Sequence, residues 1–120
     1  MATVNTTLYV EGVGGAPLAP VESWIITCGC WVRVEGEGWR PAKANEVKVV
    51  LIERKAWMAD PVRDTKLTNA DGVVIFNEGA EYPSVEYALE ATHVDSGNTD
   101  GVIISCHEDG TWVEVSRYKP

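Results

Sequence analysis

Three cysteines and one histidine are the residues of this 120-residue chain whose types could assemble a metal site. Cys28, Cys30, Cys106 and His107 together offer the four ligands that a structural zinc ion needs. The spacing disfavours such a site, because structural zinc usually takes paired ligands from tight knuckles, about two to four residues apart. Cys106 and His107 are also neighbours, and neighbours in a strand point to opposite faces unless a bulge intervenes. The sequence therefore predicts no metal site and no cofactor.

The redox state of the three cysteines stays open on the sequence alone. Their odd number leaves at least one thiol unpaired within the chain. Cys28 and Cys30 lie two apart, so in a strand they share a face, and either could meet Cys106 from a neighbouring or facing strand. A bond between Cys28 and Cys30 themselves would be strained. The alternatives are small buried thiols in a reducing compartment, one structural disulfide with Cys30 and Cys106 as candidates, or the metal site described above.

A nucleophilic pair of cysteine and histidine is the main catalytic alternative. His93 could act with Cys106 or Cys30, but nothing in the spacing fixes their proximity, and no third residue is suggested to orient the imidazole. His93 comes just before a turn, which predicts a solvated position at the end of a strand. We therefore expect no catalytic residues and a protein that is not an enzyme.

The segment of residues 95–101 is rich in oxygen ligands and offers a weak alternative for calcium binding. Asp95, Asn98 and Asp100 would be its ligands. The segment lacks the spaced aspartates of an EF-hand loop. The same residue types are what a long hairpin turn needs, so a turn is the preferred interpretation.

Five tryptophans give the strongest functional signal in so small a chain. Core packing can use two or three of them, but Trp39 falls in a glycine-rich turn, and Trp57, with Met58 beside it, falls in a long loop. Exposed indoles are enriched at interface centres, and they also stack on sugars. The alternative is that both fold back as lids over the ends of the domain. Trp39, Trp57 and Met58 are the predicted interaction residues. The five tryptophans are at positions 24, 31, 39, 57 and 112.

Short strands are predicted to position these side chains, because apolar and polar residues alternate with period two through most of the chain. The segment from Lys66 to Phe76 is the clearest case, with a turn cluster at residues 69–72 before a run of β-branched and aromatic residues. Gly72 can adopt the positive φ that such turns need, so residues 62–68 and 72–76 are predicted to form a hairpin. The other predicted strands cover residues 7–10, 23–34, 47–53, 85–94, 102–106 and 111–118.

Seven or eight short strands separated by turn signals predict an all-β fold, a single sandwich of mainly antiparallel strands. We expect the sandwich to span residues 22–120, preceded by a loosely patterned arm over residues 1–21. The net charge of -8 argues against nucleic acid or anionic membrane as partner. No apolar stretch approaches the roughly 20 residues that span a bilayer. The first residues do not have the pattern of a secretory signal peptide.

Part of the chain resembles a known family of sandwich domains. A glycine and proline turn precedes a strand of Val-Lys-Val-x-Leu type, and a variable loop, a polar strand, an Asp-Gly turn and an apolar strand follow. This order is similar to that of the transthyretin-like and carboxypeptidase-regulatory-like domains, so the resemblance implies an immunoglobulin-like or transthyretin-like sandwich. The hydrolase of this fold ends in a Tyr-Arg-Gly-Ser motif that is missing here, so no catalytic role is implied. The matching residues are Pro41, Val47, Lys48, Val49, Leu51, Glu53, Asp60, Pro61, Asp64, Thr65, Lys66, Thr68, Asn69, Asp71, Gly72, Val74, Phe76, Tyr87, Leu89 and Ala91.

These observations together predict a non-enzymatic structural or interaction module. We expect a subunit of a larger assembly, such as a phage virion component or a surface filament, whose partner is itself or a lattice of other subunits. The virion or the extracellular surface is the favoured location. A carbohydrate-binding or ligand-binding module is the alternative, and a secreted transthyretin-like carrier is a third.

Overall fold

Nine strands make up the part of the chain that the structure describes. The structure is a computed structural model and describes residues 6–18, 23–54, 62–79, 86–106 and 112–120. All strand pairs are antiparallel and form two sheets, so the predicted all-β sandwich is confirmed, with one strand more than expected. The strands are β1 (Thr6–Leu18), β2 (Ser23–Val34), β3 (Gly38–Pro41), β4 (Val47–Glu53), β5 (Val62–Leu67), β6 (Val73–Gly79), β7 (Glu86–His93), β8 (Thr99–Cys106) and β9 (Trp112–Tyr118).

The four-stranded sheet is built around β2. β1 pairs with β2 over nearly its whole length, while on the other side β3 pairs with the last part of β2 and β6 with the first part. Between these two partners, Cys30 N–H donates to Gly72 O at 2.9 Å, and Cys30 O accepts from Ala42 N–H at 2.9 Å. Both backbone groups of Cys30 are therefore hydrogen-bonded, as buried N–H and C=O groups require.

The five-stranded sheet has the order β5-β4-β7-β8-β9. β4 lies inside it, as the apolar run at residues 47–53 predicts. Val47, Val49 and Leu51 face the core, whereas Lys48 between them is exposed. This alternation fixes the register, since a slip of one residue would turn Lys48 inward.

The core lies between the two sheets and is built from the inward-facing residues of each. Full burial of one aliphatic or aromatic side chain stabilises a fold by about 1.5–3 kcal/mol. Tyr87, Leu89 and Ala91 alternate along β7 and are all fully buried. The four-stranded sheet contributes Leu8, Val10, Ile26, Cys28, Cys30, Val32, Val74 and Phe76, and the five-stranded sheet contributes Val47, Val49, Leu51, Tyr87, Leu89, Ala91, Val102 and Ile104.

The turn at residues 69–72 has the predicted chemistry but connects strands of different sheets. Gly72 has a φ of 76°, and Asn69 Oδ1 accepts the N–H groups of Asp71 at 2.9 Å and Val73 at 3.0 Å. β5 pairs with β4 and β6 pairs with β2, so the predicted hairpin is wrong. A Cβ on Gly72 would lie 2.8 Å from backbone atoms of Ala42, so the crossing between the sheets requires glycine here. Turn residues alone do not distinguish a hairpin from such a crossing.

The N-terminal segment is part of the sandwich. Thr6–Leu18 forms β1, whereas the sequence predicted a loosely patterned arm over residues 1–21. A register shift between Gly14 and Pro17 accommodates the irregular end of this strand against β2. Residues 1–5 and 19–22 of the predicted arm lie outside the described residues. Within the described ranges, no helix has the length and hydropathy needed to cross a bilayer.

Candidate functional site

Three large aromatic side chains lie together on the outer face of the four-stranded sheet. Tyr9 of β1 pairs with Trp31 of β2, and Trp39 follows on β3. Their exposed fractions are 38%, 38% and 50%, respectively. The sequence neighbours of Tyr9 and Trp31 face the core, so strand alternation directs these two aromatic side chains to solvent. We call Tyr9, Trp31 and Trp39 the aromatic face.

The aromatic face encloses a shallow groove of about 270 Å³. Its lining residues are Tyr9, Glu11, Trp31 and Trp39. The ring centroids of Tyr9 and Trp39 are 6.4 Å apart, and their planes are nearly perpendicular at 82°. The groove therefore has two aromatic walls with nearly perpendicular planes, a third aromatic ring from Trp31, and one carboxylate.

Gly29 keeps the surface beside the Glu11 carboxylate open. Glu11 of β1 lies opposite Gly29 of β2, one row along the sheet from Tyr9 and Trp31. A Cβ on Gly29 would have no atom within 4 Å, so the glycine faces open space. A larger residue at this position would fill space next to the groove. Gly29 lies in regular pairing with Glu11, and its outer surface is open.

An arginine from the other sheet holds Tyr9 in place. The guanidinium carbon of Arg117 on β9 lies 4.0 Å from the Tyr9 ring centroid, within the range of a cation–π contact. The guanidinium is bound at 2.8 Å by Asp100 and at 2.8 Å by Glu114, and it also donates to the backbone oxygen of Val10. With its position fixed by these three partners, Arg117 holds one face of the Tyr9 ring.

Arg117 also binds a backbone group at the outer edge of β1. Val10 N–H donates to Asp100 Oδ2 at 2.8 Å, and Val10 O accepts from Arg117. These backbone groups point away from β2, because β1 is the outer strand of its sheet. Asp100 and Arg117 thus satisfy an edge position that would otherwise be open to another strand.

His93 is buried, which corrects the prediction of a solvated end residue. Its exposed fraction is 5%, and its Nε2 lies 3.0 Å from Glu46 Oε2 while its Nδ1 lies 2.8 Å from Ser96 Oγ. Arg40 binds both oxygens of Glu46, at 2.7 and 2.8 Å. This cluster ties β3 and the segment before β4 to the turn after β7. Ser96 N–H also donates to Nδ1 at 3.2 Å, and Asn98 N–H to Ser96 Oγ at 3.3 Å, so the serine takes part in closing the turn.

Glu46 is the charged centre of this cluster. The pKa of Glu46 is lowered from 4.5 to about 2, chiefly by the paired hydrogen bonds from Arg40 and also by bonds from the Lys43 backbone and His93, against the opposing effect of burial. The same carboxylate raises the pKa of Arg40. Glu46 is therefore an ionised structural partner of Arg40 and His93 at neutral pH.

Cys28 and Cys30 are free thiols in the core. A hydrogen bond with Cys30 and burial raise the pKa of the Cys28 thiol well above its usual range. Because Cys30 is free, the candidate disulfide to Cys106 is not formed in the structure. Cys30 lies near Asp100, because Val10 pairs with Cys30 and donates a hydrogen bond to Asp100. Cys106 is six residues beyond Asp100 on β8, a distance of about 20 Å at the rise of a strand. That separation exceeds the Cα distance that a disulfide spans.

The calcium alternative does not gather its ligands into one set. Asp100 is buried and bound by Arg117 and Val10, whereas Asp95 and Asn98 are exposed in the turn. Backbone bonds from His93 to Asn98 and from Gly97 to His93, both 2.8 Å, close that turn. Among the described residues, no three His, Cys, Asp or Glu side chains lie close enough to hold a metal ion. His107 lies outside those residues.

A second concavity, of about 440 Å³, lies on the outer face of the five-stranded sheet. Its polar groups already bond to one another or to neighbours. Tyr118 lies over Gly101 and donates to Glu90 at 2.6 Å, while Arg54 lies 3.6 Å from Glu86. Tyr118 is the one aromatic residue among the described residues that line this concavity, so the aromatic face is the stronger candidate site. The lining residues are Ile52, Arg54, Ala88, Glu90, Ile103 and Tyr118.

The sequence predicted one member of the aromatic face and missed two. Trp39 is exposed as expected, but on β3 rather than in a turn. Tyr9 and Trp31 were missed, although each alternates with core residues and period-two counting could have placed them on the solvent face. Trp57 and Met58 lie outside the described residues, so their role stays a prediction.

Comparisons of the chain with protein-family models, curated proteins and solved structures found no match. The transthyretin-like resemblance therefore stays a prediction, and the candidate site depends on its own geometry.

Proposed function

We propose that this protein is a non-enzymatic interaction module that acts as a subunit of a larger assembly, such as a phage particle or a surface filament. The aromatic face is the proposed contact surface, and a second copy of the chain or a lattice of other subunits is the proposed partner. The observation that carries the proposal is the exposure of Tyr9, Trp31 and Trp39 side by side on one sheet.

The chemistry of these residues suits a protein contact. Tryptophan and tyrosine dominate interface energetics because each covers a large apolar area with few rotatable bonds. Strands on a sandwich hold Tyr9 and Trp31 in fixed positions, so little side-chain entropy is lost on binding. Ile75, 45% exposed on β6, extends the apolar surface beyond the aromatic face.

Sedimentation velocity over a wide range of protein concentration tests the assembly. We expect the wild type to form oligomers as concentration rises and Trp39→Ala to shift this transition to higher concentration. Val113→Ala is the control, because Val113 is 42% exposed on β9 of the other sheet. A wild type that stays monomeric at every concentration, alone and with co-expressed neighbours from its genome, would contradict the proposal.

Ligand binding is a second candidate function, favoured by the groove itself. A cavity of about 270 Å³ with one carboxylate among three aromatic rings can hold a small molecule without any second protein. Titration with small ligands, followed by the indole N–H signals in NMR spectra, tests this candidate separately from assembly.

A further inference from the structure

We infer that the groove of the aromatic face is a cage for the quaternary ammonium group of a small molecule, of which choline is the simplest probe. This inference rests on the ligand-binding candidate function and uses the same face as the proposed assembly, so the two are tested by different measurements. Aromatic rings attract alkylated ammonium ions through the negative charge of their faces, and such cages are an established means of recognising choline-like groups.

The angle between the walls favours a rounded cation over a flat sugar. A pyranose ring stacks on one plane, whereas the planes of Tyr9 and Trp39 differ by 82°. A group placed against both of these rings can lie within about 6 Å of both centroids, the range of a cation–π contact. Trp31 lines the same groove and supplies a third ring.

The size of the groove also fits a small group. Its volume of about 270 Å³ falls below the roughly 300–1,000 Å³ of pockets for drug-sized ligands. Gly29 adds open space beside Glu11, where the rest of a small molecule can extend.

The charges around the groove are complementary to a cation. Glu11 lines it with a carboxylate, and the whole chain carries a net charge of -8. Arg117 lies against Tyr9, but its charge is balanced by both Asp100 and Glu114.

Among the described residues of this face, Arg33 carries a positive charge that no described carboxylate binds, and this charge opposes a cationic ligand. Arg33 is exposed and pairs with Trp39, in the row beyond Trp31 and away from Glu11. Removing its charge is expected to strengthen cation binding, because like charges near the groove repel.

NMR titration of the full chain with choline tests the inference. We expect saturable shifts of the indole signals of Trp31 and Trp39, assigned by single substitutions. The uncharged isostere of choline, 3,3-dimethylbutan-1-ol, should bind at least tenfold more weakly, because it keeps the shape and loses the charge. Trp39→Ala should weaken choline binding by about 2- to 30-fold, the range spanned by one cation–π contact.

Charge variants give a second and milder test, since exposed residues leave the fold intact. Glu11→Gln should weaken choline binding about threefold or more, and Arg33→Gln should strengthen it about twofold, as expected for partly screened charges. Glu37→Gln is the matched control, because it makes the same charge change in the exposed turn after β2 and should leave binding unchanged.

Each outcome separates the inference from the candidate function. Equal affinity for choline and its isostere, or no effect of Glu11→Gln, would overturn cation recognition. Binding of a simple sugar such as glucose without binding of choline would overturn the inference and retain the ligand-binding function. Failure of choline, isostere and sugar alike would overturn both, while the proposed assembly is judged by sedimentation alone.

Discussion

Glu46 is expected to stabilise the fold by about 3 kcal/mol at neutral pH. Its pKa falls from 4.5 to about 2 in the folded protein, first because Arg40 binds both of its oxygens. At about 1.36 kcal/mol per pKa unit, this difference corresponds to about 3 kcal/mol of preference for the folded state. The Glu46 side chain is only 15% exposed, so solvent screens these contacts weakly.

The sign of the effect follows from the lowered pKa. Above pH 4.5 the carboxylate is ionised in both states, and the full stabilisation is present. As pH falls from 4.5 to about 2, the unfolded state takes up the proton first, so the stabilisation is lost progressively. Glu46→Gln removes this titration, and the variant should be less stable than the wild type near pH 7 by up to about 3 kcal/mol, with the difference shrinking towards pH 2.

Urea unfolding followed by tryptophan fluorescence, repeated from pH 7 to pH 2.5, measures both the size and the pH dependence. Glu11→Gln provides the control, since Glu11 is exposed and its substitution should change stability by less than about 0.5 kcal/mol. A constant stability difference between wild type and Glu46→Gln across this pH range would refute the reasoning, because it would mean that the carboxylate charge is not what stabilises the fold.

Two further substitutions and one labelling reaction test other contacts. Gly72→Ala should lower the free energy of unfolding in urea by at least about 1 kcal/mol more than Gly97→Ala does. Both glycines have positive φ, but only at Gly72 would a new Cβ lie 2.8 Å from backbone atoms. Equal losses of stability in the two variants would contradict this reasoning. Arg117→Gln should lower the free energy of unfolding by about 3 kcal/mol, because it leaves the buried Asp100 carboxylate without its ionic partner. A loss below about 0.5 kcal/mol, the size of a neutral surface substitution, would contradict the role assigned to Arg117. Cys28 and Cys30 should resist a thiol reagent until urea unfolds the protein, because they are buried; their rapid labelling in the native state would show that the core is open.

Period-two patterning predicted the fold class because strands such as β4 have one buried face. β5 is exposed along most of its length and was placed as a strand by its residue types and the turn that follows it. Strand partners were harder to predict, because β5 and β6 are joined by a tight turn and yet belong to different sheets. That choice depends on where Gly72 and Ala42 meet Cys30, a contact between distant parts of the chain.

The candidate site was partly predictable for the same reason. Alternation places Tyr9 and Trp31 on the solvent side, but their proximity to Trp39 requires the pairing of β1, β2 and β3. The burial of His93 could not be read from its position before a turn, because its partner Glu46 is 47 residues away in sequence.

The two faces of β2 are separated by the parity of the residue number, with the core on one side and solvent on the other. Even positions from 26 to 32 supply core residues, while Trp31 and Arg33 at odd positions face outward. Outward residues can therefore be substituted at odd positions while the interior stays intact, whereas a single inserted residue would exchange the two faces for the part of the strand beyond it.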